Sequence, residues 1–292
     1  MIASDLLSRL WCPTCQSSPL APASASGDAD AQDDNLRCSA CDASYPIRFG
    51  FPVLFPRDTL DKPEWSLWGD HLDKFQARRD ARLENPNRVI NRVAEKSQPQ
   101  PPFAKFVDIT EGTVLDVGCG PGNFRFLLDP SKVRYIGLDP IALPEACEFP
   151  FVQGLAEHMP FRDRTFTDIV VMAALDHFLD LDRFLREARR VLQDGGRLHI
   201  LQSVHEARDP VSAIKVIAHK VKDALEDGVS PKHGSDVPKH LMEFTSRALV
   251  ERMGSAFEVV SSERYSAAWY SPEKLFLSFS PKDAERHAAR VS

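Results

Sequence analysis

From residue 113 onward, short apolar runs alternate with amphipathic segments, the pattern of βαβ units around a parallel sheet. The runs predict strands over 113–117, 135–138, 151–153, 166–172 and 197–202. Leu181, Phe184, Leu185, Ala188, Val191 and Leu192 recur at helical spacing. They predict a helix lying on one sheet face, ended by Gly195 and Gly196 before the fifth strand. Residues 205–240 read as an insertion with a second amphipathic helix marked by Val211, Ile214, Ala218, Val221 and Leu225. A helix over 245–253 and strands near 257–261 and 275–280 complete the pattern, with no internal repeat.

The front of the chain is built differently. Residues 21–35 are mainly Ala, Ser, Asp and Gly and read as a loop. Residues 45–55 are aromatic and β-branched and predict a strand and turn closing a small module. Residues 62–96 are charged and helical in pattern, interrupted at Pro86, and the prolines at 99, 101 and 102 mark a boundary. The expected organisation is a small module over 1–57, a helical linker or lid over 58–102, and a doubly wound α/β domain over 103–292 that carries the 205–240 insertion.

A length of 292 residues suits one main domain with an appendage, and 43% hydrophobic with 27% charged residues is ordinary globular composition. The net charge of −6 gives no global attraction to nucleic acid. The first residues carry neither a basic region nor a cleavable apolar stretch, and no run approaches a membrane span, so a cytoplasmic protein without membrane partners is expected. Four of the six cysteines form two Cys-x-x-Cys pairs, Cys12 with Cys15 and Cys38 with Cys41. Paired cysteines without an export signal read as metal thiolates rather than disulfides. The spacing nearly fits a four-thiolate structural zinc, which would supply folding energy to a module too small to be secure alone. Four protein ligands leave no open position for catalysis.

The 113–117 strand runs into Val-Gly-Cys-Gly-Pro-Gly, with glycines at 118, 120 and 122 and a helix expected from Asn123. Glycines here permit a tight turn and let a ligand approach the backbone. A turn of this kind can also cradle a pyrophosphate, so two neighbours guide the choice. Asp116 precedes the turn, where its carboxylate repels a pyrophosphate and suits a cationic ligand. Asp139 ends the second strand about 20 positions on, where a ribose diol can donate to it; the plainer alternative is a surface aspartate.

Residues 113–203 resemble the class I S-adenosylmethionine-dependent methyltransferases, particularly the broad small-molecule group. The resemblance rests on Val-Leu-Asp-Val-Gly-Cys-Gly-Pro-Gly at 114–122, Ile-Gly-Leu-Asp at 136–139, Gly-Leu-Ala-Glu-His-Met-Pro-Phe at 154–161, Phe-Thr-Asp-Ile-Val-Val at 166–171 and Glu-Ala-Arg-Arg-Val-Leu-Gln-Asp-Gly-Gly at 187–196. It implies a Rossmann-like sheet and an S-adenosylmethionine cofactor. Asp116, Gly118, Cys119, Gly120 and Gly122 would contact the methionine portion, Asp139 the ribose, and Leu155, Ala156 and Glu157 the adenine edge, with Pro140 a further cofactor contact. Leu155 stands where many relatives carry aspartate, which leaves that contact to the backbone. The cysteine module resembles zinc ribbons of short methyltransferase-associated proteins and of bacterial rRNA guanine-N1 methyltransferases.

His177, after the fourth strand, is the candidate base for a hydroxyl acceptor, against the alternative of a histidine that only shapes the pocket. His205, His240 and Tyr265 are weaker candidates. A small-molecule acceptor is favoured. The alternative is RNA, because Lys74, Arg78, Arg79, Arg82, Arg88, Arg92 and Lys96 outnumber the acids of that stretch. A third reading is a catalytically silent binding partner, against which the intact glycine turn and its two aspartates stand.

Overall fold

The computed structural model describes residues 2–23, 35–57, 99–141, 149–204, 242–266 and 273–282, together with residues 69, 73, 76 and 77. The amphipathic helix of the 205–240 insertion, its flanking histidines and most of the basic 62–96 stretch lie outside the described residues. Among the described residues, no helix is long and apolar enough to cross a membrane.

A short helix, α1 (Ser4–Leu7), opens the chain. The cysteine module then contributes β1 (Leu20–Pro22), β2 (Asn35–Cys38), β3 (Ser44–Arg48) and β4 (Phe51–Leu54), joined as antiparallel neighbours. After α2 (Gln100–Val107) come the parallel strands β5 (Gly112–Val117), β6 (Val133–Asp139), β7 (Phe151–Gly154), β8 (Phe166–Met172) and β9 (Leu192–Ser203). Two helices, α3 (Leu181–Val191) and α4 (Ser246–Met253), and the antiparallel pair β10 (Phe257–Tyr265) and β11 (Lys274–Pro281) follow. The strand order is β1-β2-β3-β4-β7-β6-β5-β8-β9-β11-β10. Strand order reverses between β5 and β8, and ligands of such sheets collect at the carboxyl ends of the strands flanking that point.

The predicted strands all occur, each within a few residues of its expected ends. Two local expectations change. The segment after the glycine turn is a single 3-10 turn over Asn123–Leu127 rather than an α-helix. Gly195 and Gly196 do not end the helix: α3 stops at Val191, and both glycines lie within β9, which begins at Leu192. Gly196 fits there because a Cβ would meet the Thr167 carbonyl oxygen at 2.9 Å, so close strand contact, not helix termination, is its role.

Both helix starts on one face are capped, with the Asp180 carboxylate accepting the Arg183 N–H of α3 and the Thr245 hydroxyl the Ala248 N–H of α4. From α3, Leu181, Phe184, Leu185, Ala188 and Val191 are buried at helical spacing on this face. The opposite face buries Phe103 of α2 against Phe124 and Phe276.

The module's last strand reaches past its own hairpin. β4 pairs in parallel with β7, Val53 opposite Gln153 and Leu54 opposite Gly154, so the cysteine module extends the main sheet. Leu10 bridges Phe161, the Trp11 N–H donates to the Pro160 carbonyl and the Arg162 N–H to the Arg9 carbonyl. One apolar core contains Leu10, Leu36 and Tyr45 of the module with Leu138, Val152 and Phe161 of the main domain.

Candidate active site and metal centre

The glycine turn leaves β5 at the switch point. Gly118, Gly120 and Gly122 all have positive φ, of 71°, 51° and 68°. A Cβ on Gly118 would sit 2.4 Å from the Ala174 Cβ, whereas one on Gly120 would meet nothing within 4 Å among the described residues. Gly118 is therefore required for packing against the β8 end, and Gly120 leaves its backbone open to a ligand. Ala173, the residue joining β8 to the Ala174 contact, is itself left-handed at φ 52°, a strained position held by its N–H bond to the Leu201 carbonyl.

Asp139, at the end of β6, faces the turn. Its Oδ2 accepts the Gly120 N–H at 2.8 Å and its Oδ1 the Ile141 N–H at 2.9 Å. The carboxylate thus fixes the shape of the turn and stands where a diol could reach it. The Pro140 carbonyl accepts from the Gln153 amide, tying this corner to β7. Cys119 is buried within the turn.

Asp116 is fully buried, and the Tyr135 hydroxyl donates to its Oδ2 at 2.6 Å. Its Oδ1 is buried with no partner among the described residues. Burial pushes its carboxyl up to about 7; the Tyr135 bond opposes this and the Asp139 charge reinforces it. An orphaned carboxylate oxygen beneath an open glycine turn fits a cationic donor such as the cofactor's ammonium.

Because the folded state holds this proton more tightly than the unfolded chain, the associated stability is full below about 3.8. It is lost as pH rises toward 7. Asp116→Asn should therefore gain on the wild-type protein by about 1–3 kcal/mol between about pH 4 and pH 7.5, measured by thermal unfolding. A gap that stays constant with pH would show an ordinary carboxylate here.

The adenine-edge candidates lie along the segment after β7. Leu155 and Ala156 are buried, while Glu157 turns its carboxylate away to accept the Leu179 N–H at 2.8 Å and the Asp180 N–H at 3.4 Å. Burial raises the Glu157 carboxyl against those bonds. Its side chain is committed to the start of α3, and its carbonyl accepts from the Arg183 guanidinium at 2.9 Å.

His177 lies in the turn after β8, with its side chain about one quarter exposed and Nε2 4.0 Å from Asp176 Oδ2. Asp176 is buried and also accepts from the Gln202 amide at 3.2 Å. The structure thus brings the β8 turn beside Gly118 through Ala174, with a histidine and a carboxylate on it.

In the cysteine module all four sulfurs lie within 4.8 Å of one another. Cys12 and Cys41 are separated by 3.7 Å and Cys15 and Cys38 by 3.6 Å. A tetrahedron with metal–sulfur bonds of about 2.3 Å has edges of about 3.8 Å, so the set fits one zinc. Each Cys-x-x-Cys is followed by a left-handed residue, Gln16 at φ 52° and Asp42 at φ 57°. Their N–H groups donate to the Cys12 and Cys38 carbonyls, giving two matching knuckles. The Tyr45 hydroxyl lies 3.2 Å from the Cys12 sulfur. The Ala43 N–H lowers the Cys41 thiol, but burial and the neighbouring sulfurs outweigh it and push it up to about 12. A cation removes that crowding penalty.

One link had no signal in the sequence. Gln16, on the first knuckle, donates to both oxygens of the buried Glu187 carboxylate at 3.1 Å. Glu187 pairs with Arg190, whose guanidinium also bonds the Met159 and Phe161 carbonyls. A spacing of 171 residues between Gln16 and Glu187 offers no periodicity to read.

The fold is that of the S-adenosylmethionine-dependent methyltransferases. Such an enzyme from Thermotoga maritima shares it with TM-score 0.51 and 18% identity, over 74% of this chain and 100% of that one. A chain from the complex of the Haloferax volcanii Trm112 methyltransferase activator with a methyltransferase shares it at 0.51 and 16%, over 70% and 98%. Residues 115–200 match the family model described as methyltransferase domain. Among curated proteins, an uncharacterised methyltransferase of Bacillus subtilis is 34% identical over 114 residues, covering 35% of this chain and 44% of that protein. The ubiquinone/menaquinone biosynthesis C-methyltransferase of Escherichia coli is 38% identical over 138 residues, covering 42% and 52%. The chain thus spans about half the length of these curated relatives.

Proposed function

We propose that this chain transfers a methyl group from S-adenosylmethionine to a small molecule, with a zinc-bound ribbon at its front. The observation that carries the reading is the orphaned Asp116 oxygen beneath the open Gly120 turn, with Asp139 alongside, at the switch point of the sheet. When bound, the cofactor supplies a methyl group already activated on its sulfonium, so the protein's work is orientation and exclusion of water. Asp116 holds the cationic amino group, Asp139 accepts from the ribose hydroxyls, and the backbone at 155–157 edges the base. The relative named for quinone biosynthesis supports a small-molecule acceptor.

At the acceptor side, His177 removes the proton from an acceptor hydroxyl as transfer proceeds, with the Asp176 carboxylate 4.0 Å from its ring. Calorimetry with S-adenosylmethionine, followed by its slow turnover to S-adenosylhomocysteine, tests the reading. Micromolar binding with turnover is expected, and a folded protein that binds neither form of the cofactor would refute it. His177→Ala should slow turnover about 100-fold while leaving cofactor affinity within about twofold. Equal losses in both would make His177 a packing residue.

A further inference from the structure

We infer that Lys274, with Ser203 and Tyr265, forms a subsite that takes an anionic oxygen of the methyl acceptor, a carboxylate or phenolate. This rests on the methyltransferase reading above.

The three residues come from adjacent strands and stand in register: Lys274 of β11 is opposite Ser203 of β9 on one side and Tyr265 of β10 on the other. Directly opposed residues point to the same sheet face, so their side chains form one row. Lys274 Nζ donates to the Ser203 hydroxyl, and the Tyr265 ring stacks on Phe276 at 5.4 Å with an interplanar angle of 17°. The row lies at the carboxyl end of β9, two residues beyond the Leu201 carbonyl that fixes Ala173. Ala174, next along, rests on Gly118. With strands about 4.8 Å apart, β9 is about 10 Å and β11 about 14 Å from β5 and its turn, within reach of a small acceptor.

Among the described residues the charge of Lys274 meets only a through-space counter-charge. It makes no ion pair there, and its chain neighbour Glu273 is engaged by Arg264. Asp176 favours the charged ammonium only through space, and its own Oδ1 accepts from Gln202. Burial lowers the Lys274 ammonium, as expected where a cation is partly withdrawn from water without a partner. Such a charge on a structural strand is a cost unless an anion arrives to meet it. Ser203 supplies a hydroxyl able to donate to the same anion, and the Tyr265 ring supplies a flat wall. Together they select a planar acid.

Benzoate and its neutral isostere benzamide test this on the full chain, with and without S-adenosylhomocysteine. Binding is read by calorimetry and by the Lys274 Cε resonance. Benzoate should bind at least tenfold more tightly than benzamide and move that resonance. Lys274→Met should reduce the preference to under twofold, leave S-adenosylhomocysteine affinity unchanged and raise thermal stability, since it removes an unpaired charge. Ser203→Ala, which leaves the ammonium in place, should weaken benzoate alone. Equal binding of the two probes, no benzoate binding at millimolar concentration, or a preference that survives in Lys274→Met would each overturn the subsite. The outcome without S-adenosylhomocysteine decides the subsite even if the cofactor reading fails.

Discussion

Cys38→Ser should destabilise the ribbon by about 3 kcal/mol or more and, at the same time, weaken S-adenosylmethionine binding about tenfold. The first effect follows from removing one of four sulfurs that fit a single zinc in a module with little core of its own. The second follows from where the ribbon is attached. The knuckle residue Gln16 holds Glu187, Glu187 holds Arg190, and Arg190 holds the Met159 and Phe161 carbonyls. β4 is hydrogen-bonded along β7, directly ahead of Leu155. Loss of the metal therefore loosens the segment proposed to edge the adenine, although none of the four ribbon cysteines belongs to that segment. Elemental analysis should return one zinc per wild-type chain, and chelation should reproduce both effects. Thermal unfolding reads the first and calorimetry the second. A ribbon that stays ordered without metal, or cofactor affinity that ignores its loss, would break this chain of contacts.

Asp139→Ala should lower cofactor affinity about 100-fold, a loss of about 3 kcal/mol from unpaired ribose hydroxyls and a loosened turn. The carboxylate accepts two backbone N–H groups, from Gly120 and Ile141, so alanine removes both the proposed ligand contact and the brace of the turn. Asp139→Asn separates these roles. Its single carbonyl can still accept the Gly120 N–H, but the second acceptor becomes a donor and the charge is gone, so a loss of about tenfold is expected. Calorimetry with S-adenosylhomocysteine on folded variants measures both. Wild-type affinity in Asp139→Ala would remove the ribose assignment, and with it the registration of the turn against the cofactor.

The sequence by itself determined the strands of the parallel sheet, because each carries an apolar run that must be buried whatever lies beside it. It also determined the glycine turn and the paired cysteines, since a positive φ at residue 118 and a four-sulfur cluster impose residue types at fixed spacing. The α3 face was legible for the same reason, with Leu181, Phe184, Leu185, Ala188 and Val191 repeating at the helical period. Its end was not: Gly195 and Gly196 read as a helix stop, yet the β9 ladder extends across them because Gly196 must pass close to the Thr167 carbonyl. Only the tertiary structure decided that β4 joins β7, that Glu157 faces α3 rather than a ligand, and that Gln16 meets Glu187. It alone aligned Ser203, Lys274 and Tyr265 across three strands and left Lys274 without an ion-pair partner among the described residues. Local periodicity records which residues must be buried. Strand register and the pairing of buried charges depend on partners tens to hundreds of residues away, which no local pattern encodes.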